Sequence, residues 1–434
     1  MTKSGKLGKS SPDSASARGE AISLVQRGNL KALEKTLRKQ WRLGQNIVLC
    51  WSADERGLLV IFVPHYFLGN YCAEDEQHRG NEEFIRELIS GQRRTTREEM
   101  FAVSDRLEVS PTFIKLDTAL SEEPQVIQQV EQLIRRYGLS YVDSRAVLLF
   151  DIVEFSLYTP FEQASQLNSL SYSLNSAYNK LLARGIEINF ARTTTGDGYY
   201  IWNRRLGPGA NLDLFYFMLL VVADNAAARA ASRGNTVPVI RSAYHIGGHY
   251  ELYQAEGVNP TVFSYIVGDV TIELARMVEL AAAEQILVGD FSTELADGAL
   301  ATAHVPTPAF VAACNREMSA LAGLQIAGKK VESINCRLSE HLDDAGERSP
   351  RRFRITDKHG LSRYAYNLEC AIETEGDSTQ LGLDASRLQG QVAEPEADAD
   401  TGGQQAGEPP PSAEELFDDL ASLLKKRHGS IVED

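Results

Sequence analysis

Apolar and polar residues alternate along the first third of the chain with the periods typical of helices and strands. Leucines recur at helical spacing, and two apolar runs flank the polar turn SADERG. The predicted elements are a helix at 20–43, strands at 46–51 and 58–63, a helix at 81–89, strand-like runs near 101–109 and 112–116, and a helix at 122–137. They predict an N-terminal α+β domain over residues 20–140. Its pattern is equally compatible with a regulatory, a dimerising and a sensing role.

A second alternation of strands and helices begins after residue 141. The predicted elements are a strand at 145–151, a helix at 161–184, a hairpin of 185–193 with 199–203, a helix at 212–232, a strand at 237–245, a helix at 270–283 and a strand at 285–288. Residues 298–350 are less regular, and a hairpin of 352–356 with 362–372 closes the pattern. This order predicts a domain at 143–372 with a ferredoxin-like sheet covered by helices on one face.

Both ends of the chain have the composition of segments without a core. Residues 1–19 are rich in Ser, Gly and Lys, which predicts disorder, and residues 373–411 read as an acidic linker. Residues 412–428 then predict an amphipathic helix, because Ser412 and Glu415 form a capping box before a leucine stripe. Such a helix is expected to dock on a protein partner or back onto its own chain.

Charge and cysteine usage limit the class of protein. The net charge is −15, and residues 373–434 hold 15 acidic against 4 basic side chains, which leaves about −4 for the remainder. The acidity therefore argues only weakly against nucleic-acid binding, which is not expected. The apolar run at 214–223 is too short for a membrane span of about 20 residues. Five scattered cysteines without a CxxC predict reduced thiols and a cytoplasmic protein.

Two acidic residues in apolar surroundings are the candidate chemistry. Asp151 ends the run AVLLF, where a buried carboxylate must be compensated by a partner or a cation. Asp197 lies between Gly196 and Gly198, in a turn that can approach a ligand closely. If the two strands are neighbours, both carboxylates meet at one sheet edge and repel unless cations lie between them.

Hard divalent cations fit such a pair. Mg²⁺ or Mn²⁺ prefers oxygen ligands, and the backbone carbonyl of Ile152 could add a third to the carboxylates of Asp151 and Asp197. Two ions about 3.5 to 4 Å apart could activate an attacking hydroxyl and stabilise a leaving pyrophosphate. This predicts a site that processes nucleoside triphosphates.

Several motifs together resemble the class III nucleotide cyclases, the family of adenylate and guanylate cyclase catalytic domains. They are FDIVEFS at 150–156, TTGDGY at 194–199, IRSAYHIGG at 240–248, YIVGD at 265–269, LARM at 274–277 and QILV at 285–288. The resemblance covers roughly residues 143–290, with completion expected to 372. It implies a ferredoxin-like catalytic domain, a head-to-tail homodimer with sites at the interface, and conversion of an NTP to a 3′,5′-cyclic nucleotide and pyrophosphate.

The resemblance also implies roles for individual residues. Asp151, Asp197 and the Ile152 carbonyl would hold the two metal ions, and Phe155 would line the triphosphate loop. Arg276 would stabilise charge developing on the transferring phosphate, which suits a guanidinium. Lys358 would contact the terminal phosphates, or would simply be a solvated turn lysine.

Three positions depart from the family pattern. Ile272 stands where an asparagine usually binds the ribose, and Thr193 and Tyr265 replace the lysine and the acid that read adenine. A tyrosine makes the base pocket smaller and adds a stacking face, which favours a pyrimidine. We therefore expect UTP or CTP as substrate, as in bacterial cyclases that signal phage infection with cyclic UMP or cyclic CMP.

Other interpretations remain open at this stage. The chain could be an adenylate or guanylate cyclase of general signalling, a catalytically silent module that binds nucleotide or dimerises, or a two-metal polymerase or synthetase on a similar sheet. His245, His249 and His359 are expected to make hydrogen bonds and not to bind a metal, because no HxH or carboxylate spacing accompanies them.

Overall fold

The computed structural model describes residues 22–45, 47–73, 80–256, 261–297, 301–342, 348–356 and 362–384. The predicted N-terminal disordered segment, most of the acidic linker and the predicted tail helix at 412–428 lie outside these residues, as do Lys358 and His359. All described residues belong to one compact unit that ends at Val392.

The N-terminal elements form a three-stranded antiparallel sheet with helices on both faces. They are α1 Leu24–Arg42, β1 Ile47–Asp54, β2 Gly57–Val63, α2 Phe67–Tyr71, α3 Asn81–Ile89, α4 Arg97–Leu107, β3 Thr112–Lys115 and α5 Pro124–Arg135. The strand order is β1-β2-β3. Side chains of α1 and α5 pack on one face of this sheet, and those of α3 and α4 pack on the other.

The prediction of a strand-like run near 101–109 is wrong, because residues 101–107 belong to α4. Thr96 and Glu99 form a capping box at the start of this helix. Met100, Ser104 and Leu107 are its buried residues, at the spacing of one helix face. The capping box is the feature of the sequence that indicates a helix here.

The remaining elements build one 11-stranded sheet with its covering helices, and two separate two-stranded sheets. They are β4 Leu139–Ile152, α6 Pro160–Ala183, β5 Phe190–Thr194, β6 Gly198–Asn203, α7 Pro208–Ala231, β7 Ile240–Glu256, β8 Thr261–Val267, α8 Asp269–Leu280, β9 Ile286–Gly289, β10 Ser292–Asp297, β11 Ala301–Pro306, α9 Thr307–Glu317, β12 Gln325–Ile326, β13 Lys329–Leu338, β14 Glu340–Leu342, β15 Arg348–Pro350, β16 Arg352–Thr356, β17 Ser362–Thr374 and β18 Asp377–Leu381. The central order is β9-β7-β4-β6-β5. Four of these strands, β7-β4-β6-β5, have the antiparallel order of a ferredoxin-like sheet.

Helices cover both faces of this sheet, so the prediction of a single covered face is wrong. Ala146, Leu148 and Phe150 of β4 pack with α6 and α7, whereas Val147 and Leu149 pack with α8. Successive strand residues point to opposite faces, so the unbroken apolar run in β4 follows from this double burial. The same run was compatible with either arrangement when read as sequence.

Helix α7 is long and apolar enough to cross a membrane by length and composition, and 61% of its apolar window is buried inside the protein. Phe215, Phe217 and Leu219 are fully buried in the main core. Its apolar character is therefore accounted for by its position as the central helix of that core.

Sequence patterns missed several strands. β7 extends to Glu256 and pairs with β8, β10 follows β9, and the less regular region contains β11 and α9. β17 continues to Thr374 and β18 pairs with it, so the predicted linker at 373–411 begins inside the sheet. The β18 sequence DSTQL has no apolar alternation, because four of its five residues are exposed at an edge.

A buried arginine ties the N-terminal sheet to the start of β4. Arg93 is 1% exposed and donates to the carbonyls of Val48 at 2.8 Å and Leu49 at 2.9 Å. It also donates to the Leu139 carbonyl and, at 3.1 Å, to the Ser140 hydroxyl. Burial lowers the pKa of Arg93 to about 10, so it stays protonated at neutral pH.

Arg93→Met should lower the free energy of unfolding by about 2–4 kcal/mol, because it leaves buried carbonyls on two strands without donors. Arg97→Met is the control, since Arg97 forms an exposed ion pair with Asp54 and should cost less than about 0.5 kcal/mol. Urea unfolding of both variants measures the difference. Equal losses would show that Arg93 does not join the two sheets.

Candidate active site

Asp151 lies near the end of β4, between two neighbouring strands. Its backbone is opposite Gly198 of β6 on one side and Arg241 of β7 on the other. Its side chain lies on the α8 face of the sheet, as the alternation from Val147 and Leu149 requires, and is 12% exposed. The carboxylate at the end of the buried strand is therefore itself largely buried.

Arg241 is the partner that compensates this carboxylate. Its Nε donates to Asp151 Oδ2 at 2.7 Å, and its Nη1 donates to the Ala281 carbonyl, just after α8, at 3.0 Å. Sequence reasoning missed Arg241, which is 90 residues from Asp151. The available signal was an arginine inside the apolar strand IRSAYHI, but its pairing with Asp151 depends on the β4–β7 register.

The electrostatics of the site depend on three groups. Burial is the largest influence on Asp151 and raises the pKa of its carboxyl group, although Arg241 lowers it in part. The charge of Asp197 raises that pKa again. The Asp197 charge therefore acts on Asp151 in the same direction as burial, against the effect of Arg241.

The β5–β6 turn places Asp197 against the end of β4. The Ile152 amide donates to the Asp197 carbonyl at 2.9 Å, and the Thr195 hydroxyl donates to Asp197 Oδ1 at 3.0 Å. Gly196 has φ +105°, a conformation that favours glycine. A Cβ on Gly198 would lie 1.9 Å from the Phe150 carbonyl oxygen, so only glycine allows the strands to approach this closely.

A short ordered turn follows the first carboxylate. Glu154 has φ 55°, and Phe155–Leu157 form a 3₁₀ turn before α6. Phe155 is half-buried against the main core, and its carbonyl accepts from Gln163 Nε2 at 3.0 Å. The backbone next to Asp151 is thus held in a left-handed conformation that a non-glycine residue seldom adopts, a feature that often occurs at functional sites.

Arg276 lies on α8. Within the described part of the chain, it makes no contact with the carboxylate of Asp151 or Asp197. Its side chain is 28% exposed, and its Nη1 donates to Glu279 Oε2 at 2.9 Å within the same helix. The helix itself is held to the sheet near the site, because Tyr200 Oη donates to the Thr271 carbonyl at 3.0 Å.

The three positions that depart from the family pattern lie on neighbouring elements. Thr193 is half-buried on β5, directly opposite Tyr200 and therefore on the α8 face. Strand β8 passes close to β5 and carries Tyr265, which is 37% exposed. Ile272, in the first half of α8, is 46% exposed.

The residues that surround the carboxylates fit a hard divalent cation. Among the described residues no group of three or more His, Cys, Asp or Glu forms a metal cluster. The available donors are two carboxylates and a backbone carbonyl, all oxygen, which suit Mg²⁺ or Mn²⁺ and not zinc. Burial is the main cause of the raised Asp151 pKa, and a cation between the carboxylates would relieve the smaller part that comes from Asp197.

Two of the three histidines have structural partners. His245 Nε2 contacts Glu273, and His249 Nε2 is 3.2 Å from Arg145 Nη1. Burial lowers the pKa of His249 to about 4, so it is neutral beside that guanidinium.

No protein-family model matches the chain, and no curated protein matches it.

The structural neighbours are cyclase domains. The guanylate cyclase domain of RhGC from Catenaria anguillulae, in complex with GTP, is 13% identical with a TM-score of 0.33, and the match covers 54% of this chain and 99% of that one. The adenylyl cyclase CyaB from P. aeruginosa is 12% identical with a TM-score of 0.27, covering 39% and 94%. The guanylyl cyclase Cya2 is 11% identical with a TM-score of 0.29, covering 53% and 92%. Identities and TM-scores in this range do not by themselves assign an activity.

Asp151→Asn should stabilise the metal-free protein at neutral pH. A carboxyl pKa that folding raises means that the ionised form destabilises the fold. This cost is absent below the ordinary aspartate pKa of about 4 and is fully present above the folded-state pKa. The gain should therefore appear in urea unfolding with EDTA at pH 7 and disappear as the pH falls below about 4.

Asp105→Asn, at an exposed position of α4, is the control and should show no such pH-dependent gain. A loss of stability in Asp151→Asn at pH 7 would contradict the assigned burial cost.

Proposed function

We propose that the chain is a metal-dependent nucleotide cyclase that converts a nucleoside triphosphate to a 3′,5′-cyclic nucleotide and pyrophosphate. The observation that carries the proposal is the pair Asp151 and Asp197 at one sheet edge, with the Arg241 guanidinium on the first carboxylate. A structural ion pair would need only Asp151 and Arg241. The second carboxylate adds repulsion, which a cationic ligand would relieve.

Asp151, Asp197 and the Ile152 carbonyl would hold Mg²⁺ or Mn²⁺, two ions per site. When bound, such ions polarise phosphate oxygens and lower the pKa of an attacking hydroxyl. In the reaction the ribose 3′ oxygen forms a bond to the α-phosphorus while the bond to the bridging oxygen of pyrophosphate breaks. The hydroxyl proton leaves to solvent, and the pyrophosphate carries away the bonding electrons.

Arg241 has a second role in this proposal. A guanidinium carries five N–H groups, and its two observed bonds use the Nε and one group on Nη1. The remaining donors could face phosphate oxygens held by the cations. Phe155 supports the turn beside Asp151, where the triphosphate would pass.

The proposed active form is a head-to-tail homodimer. Arg276 and the carboxylates of one chain are not in contact, so Arg276 would act on the phosphate held by a second copy. Its exposed bond to Glu279 contributes about 0–1 kcal/mol and would not prevent this. Tyr265, Val267 and Ile272 are exposed apolar side chains of β8 and α8, which a partner copy would cover. Lys358 would contact the terminal phosphates.

We further propose a pyrimidine base, UTP or CTP, and a role for the product as a second messenger in cytoplasmic antiviral defence of bacteria. The support is the chemistry of Tyr265 and Thr193, neither of which offers the charged groups that read adenine. Tyr265 presents an aromatic face at an exposed position beside β5. Cyclic AMP or cyclic GMP as the product would keep the cyclase and reject this base preference.

A catalytically silent nucleotide-binding module is the second candidate. The observations that favour it are Ile272, which offers no hydrogen bond to a ribose, and Arg276, whose observed partner is its own helix.

Asp197→Asn and Asp151→Asn should each abolish turnover, since each removes a metal-binding charge while preserving the shape of the side chain. Product formation from NTPs with Mn²⁺, measured by mass spectrometry, tests this. Asp105→Asn should retain full activity. Turnover at the wild-type rate in either site variant would reject the metal assignment; Mn²⁺ binding without any product from wild type would favour the silent module.

Tyr265→Asp combined with Thr193→Lys should shift the preference toward ATP by at least about tenfold in kcat/KM, because the pair restores polar partners for a purine. Competition between ATP and UTP measures the shift. If the preference does not change, the base is recognised by other residues.

A further inference from the structure

Glu273 of α8 binds two partners that come from two different strands. Its Oε2 lies 2.5 Å from His245 Nε2 on β7, and its Oε1 accepts from Arg363 Nη1 on β17 at 3.0 Å. All three side chains are largely shielded, at 26%, 6% and 23% exposure in that order. None of these three side chains takes part in the proposed chemistry.

His245 is held so that its Nε2 points at the helix. A Cβ on Gly289 would lie 2.0 Å from His245 Nδ1, so the glycine leaves the space that the ring fills. Phe291 packs against the ring with its centroid 5.8 Å away. Gly289 and Phe291 therefore hold the ring where its Nε2 meets the carboxylate of Glu273.

Other polar contacts also hold α8 on the sheet. Tyr200 bonds the Thr271 carbonyl near the start of the helix, and Arg241 bonds the Ala281 carbonyl just after its end. The apolar contacts of Val270, Leu274, Met277 and Val278 are not directional, so they permit small sliding or rotation. Directional contacts to fixed strands determine where the helix comes to rest.

We propose that Glu273 is a positioning residue that fixes α8, and with it Arg276, relative to β7 and β17 of its own chain, so that Arg276 is correctly placed for the phosphate held by a second copy. The inference rests on the proposed function for its catalytic consequence. Arg276 is three residues after Glu273 and therefore on an adjacent part of the same helix surface. Displacement of a reacting group by about 1 Å can cost about a hundredfold in rate.

The test compares Glu273→Gln with a matched variant elsewhere in the sheet. Glu369 of β17 is also largely shielded, and its Oε2 accepts from Arg337 Nε at 3.0 Å and Nη2 at 2.6 Å. Glu369→Gln removes an ion pair of a shielded carboxylate, whose partner Arg337 is 71% exposed, without touching α8. Both variants should unfold at lower urea concentration than wild type.

Only Glu273→Gln should lower kcat, by at least about tenfold, with KM for the NTP within about twofold of wild type. Arg363→Gln should lower kcat in the same way, and the double variant should be no slower than the worse single variant. An unchanged kcat in Glu273→Gln, or an equal loss in Glu369→Gln, would overturn the proposal.

Hydrogen exchange provides a measurement that is independent of activity. Amides of residues 269–280 should exchange at least about tenfold faster in Glu273→Gln and at the wild-type rate in Glu369→Gln. If wild type forms no cyclic nucleotide, the proposed function fails, and this exchange still decides whether Glu273 holds the helix. Unchanged exchange in α8 would reject the positioning role itself.

Discussion

The bond between Arg241 and Asp151 is the interaction on which the site depends. It lets a buried strand end on a carboxylate, because a guanidinium on the adjacent strand offsets much of the burial cost. The same guanidinium bonds the Ala281 carbonyl just after α8, so it also fixes the helix that carries Arg276. Charge compensation and helix position are therefore linked through one side chain.

The second carboxylate gives this arrangement a functional meaning. Gly198 permits β6 to approach β4 so closely that Asp197 lies beside Asp151, although the two charges repel. Folding alone gains nothing from that repulsion, and groups held in an unfavourable state often mark a functional site. In the proposed function a hard cation would supply the missing positive charge, and triphosphate oxygens would complete its coordination.

Sequence patterns predicted the helices and strands around the site well and the long-range pairings poorly. The β5–β6 hairpin and the end of β4 were readable from a glycine-flanked aspartate and an apolar run. Arg241, by contrast, is matched to Asp151 only by strand register across 90 residues. The contacts of the Glu273 carboxylate and the position of β18 depend on tertiary structure in the same way. The strand prediction near 101–109 fails for a local reason, because the capping box of Thr96 and Glu99 starts the helix α4 there.

The most direct test of the account is incubation of the purified protein with ATP, GTP, CTP and UTP separately, in Mg²⁺ and in Mn²⁺, with products identified by mass. The account predicts a 3′,5′-cyclic nucleotide and pyrophosphate in equal amounts, from UTP or CTP in preference to the purine nucleotides, and no product with EDTA. Product formation that persists in EDTA, or the absence of any cyclic nucleotide in all eight mixtures, would contradict it.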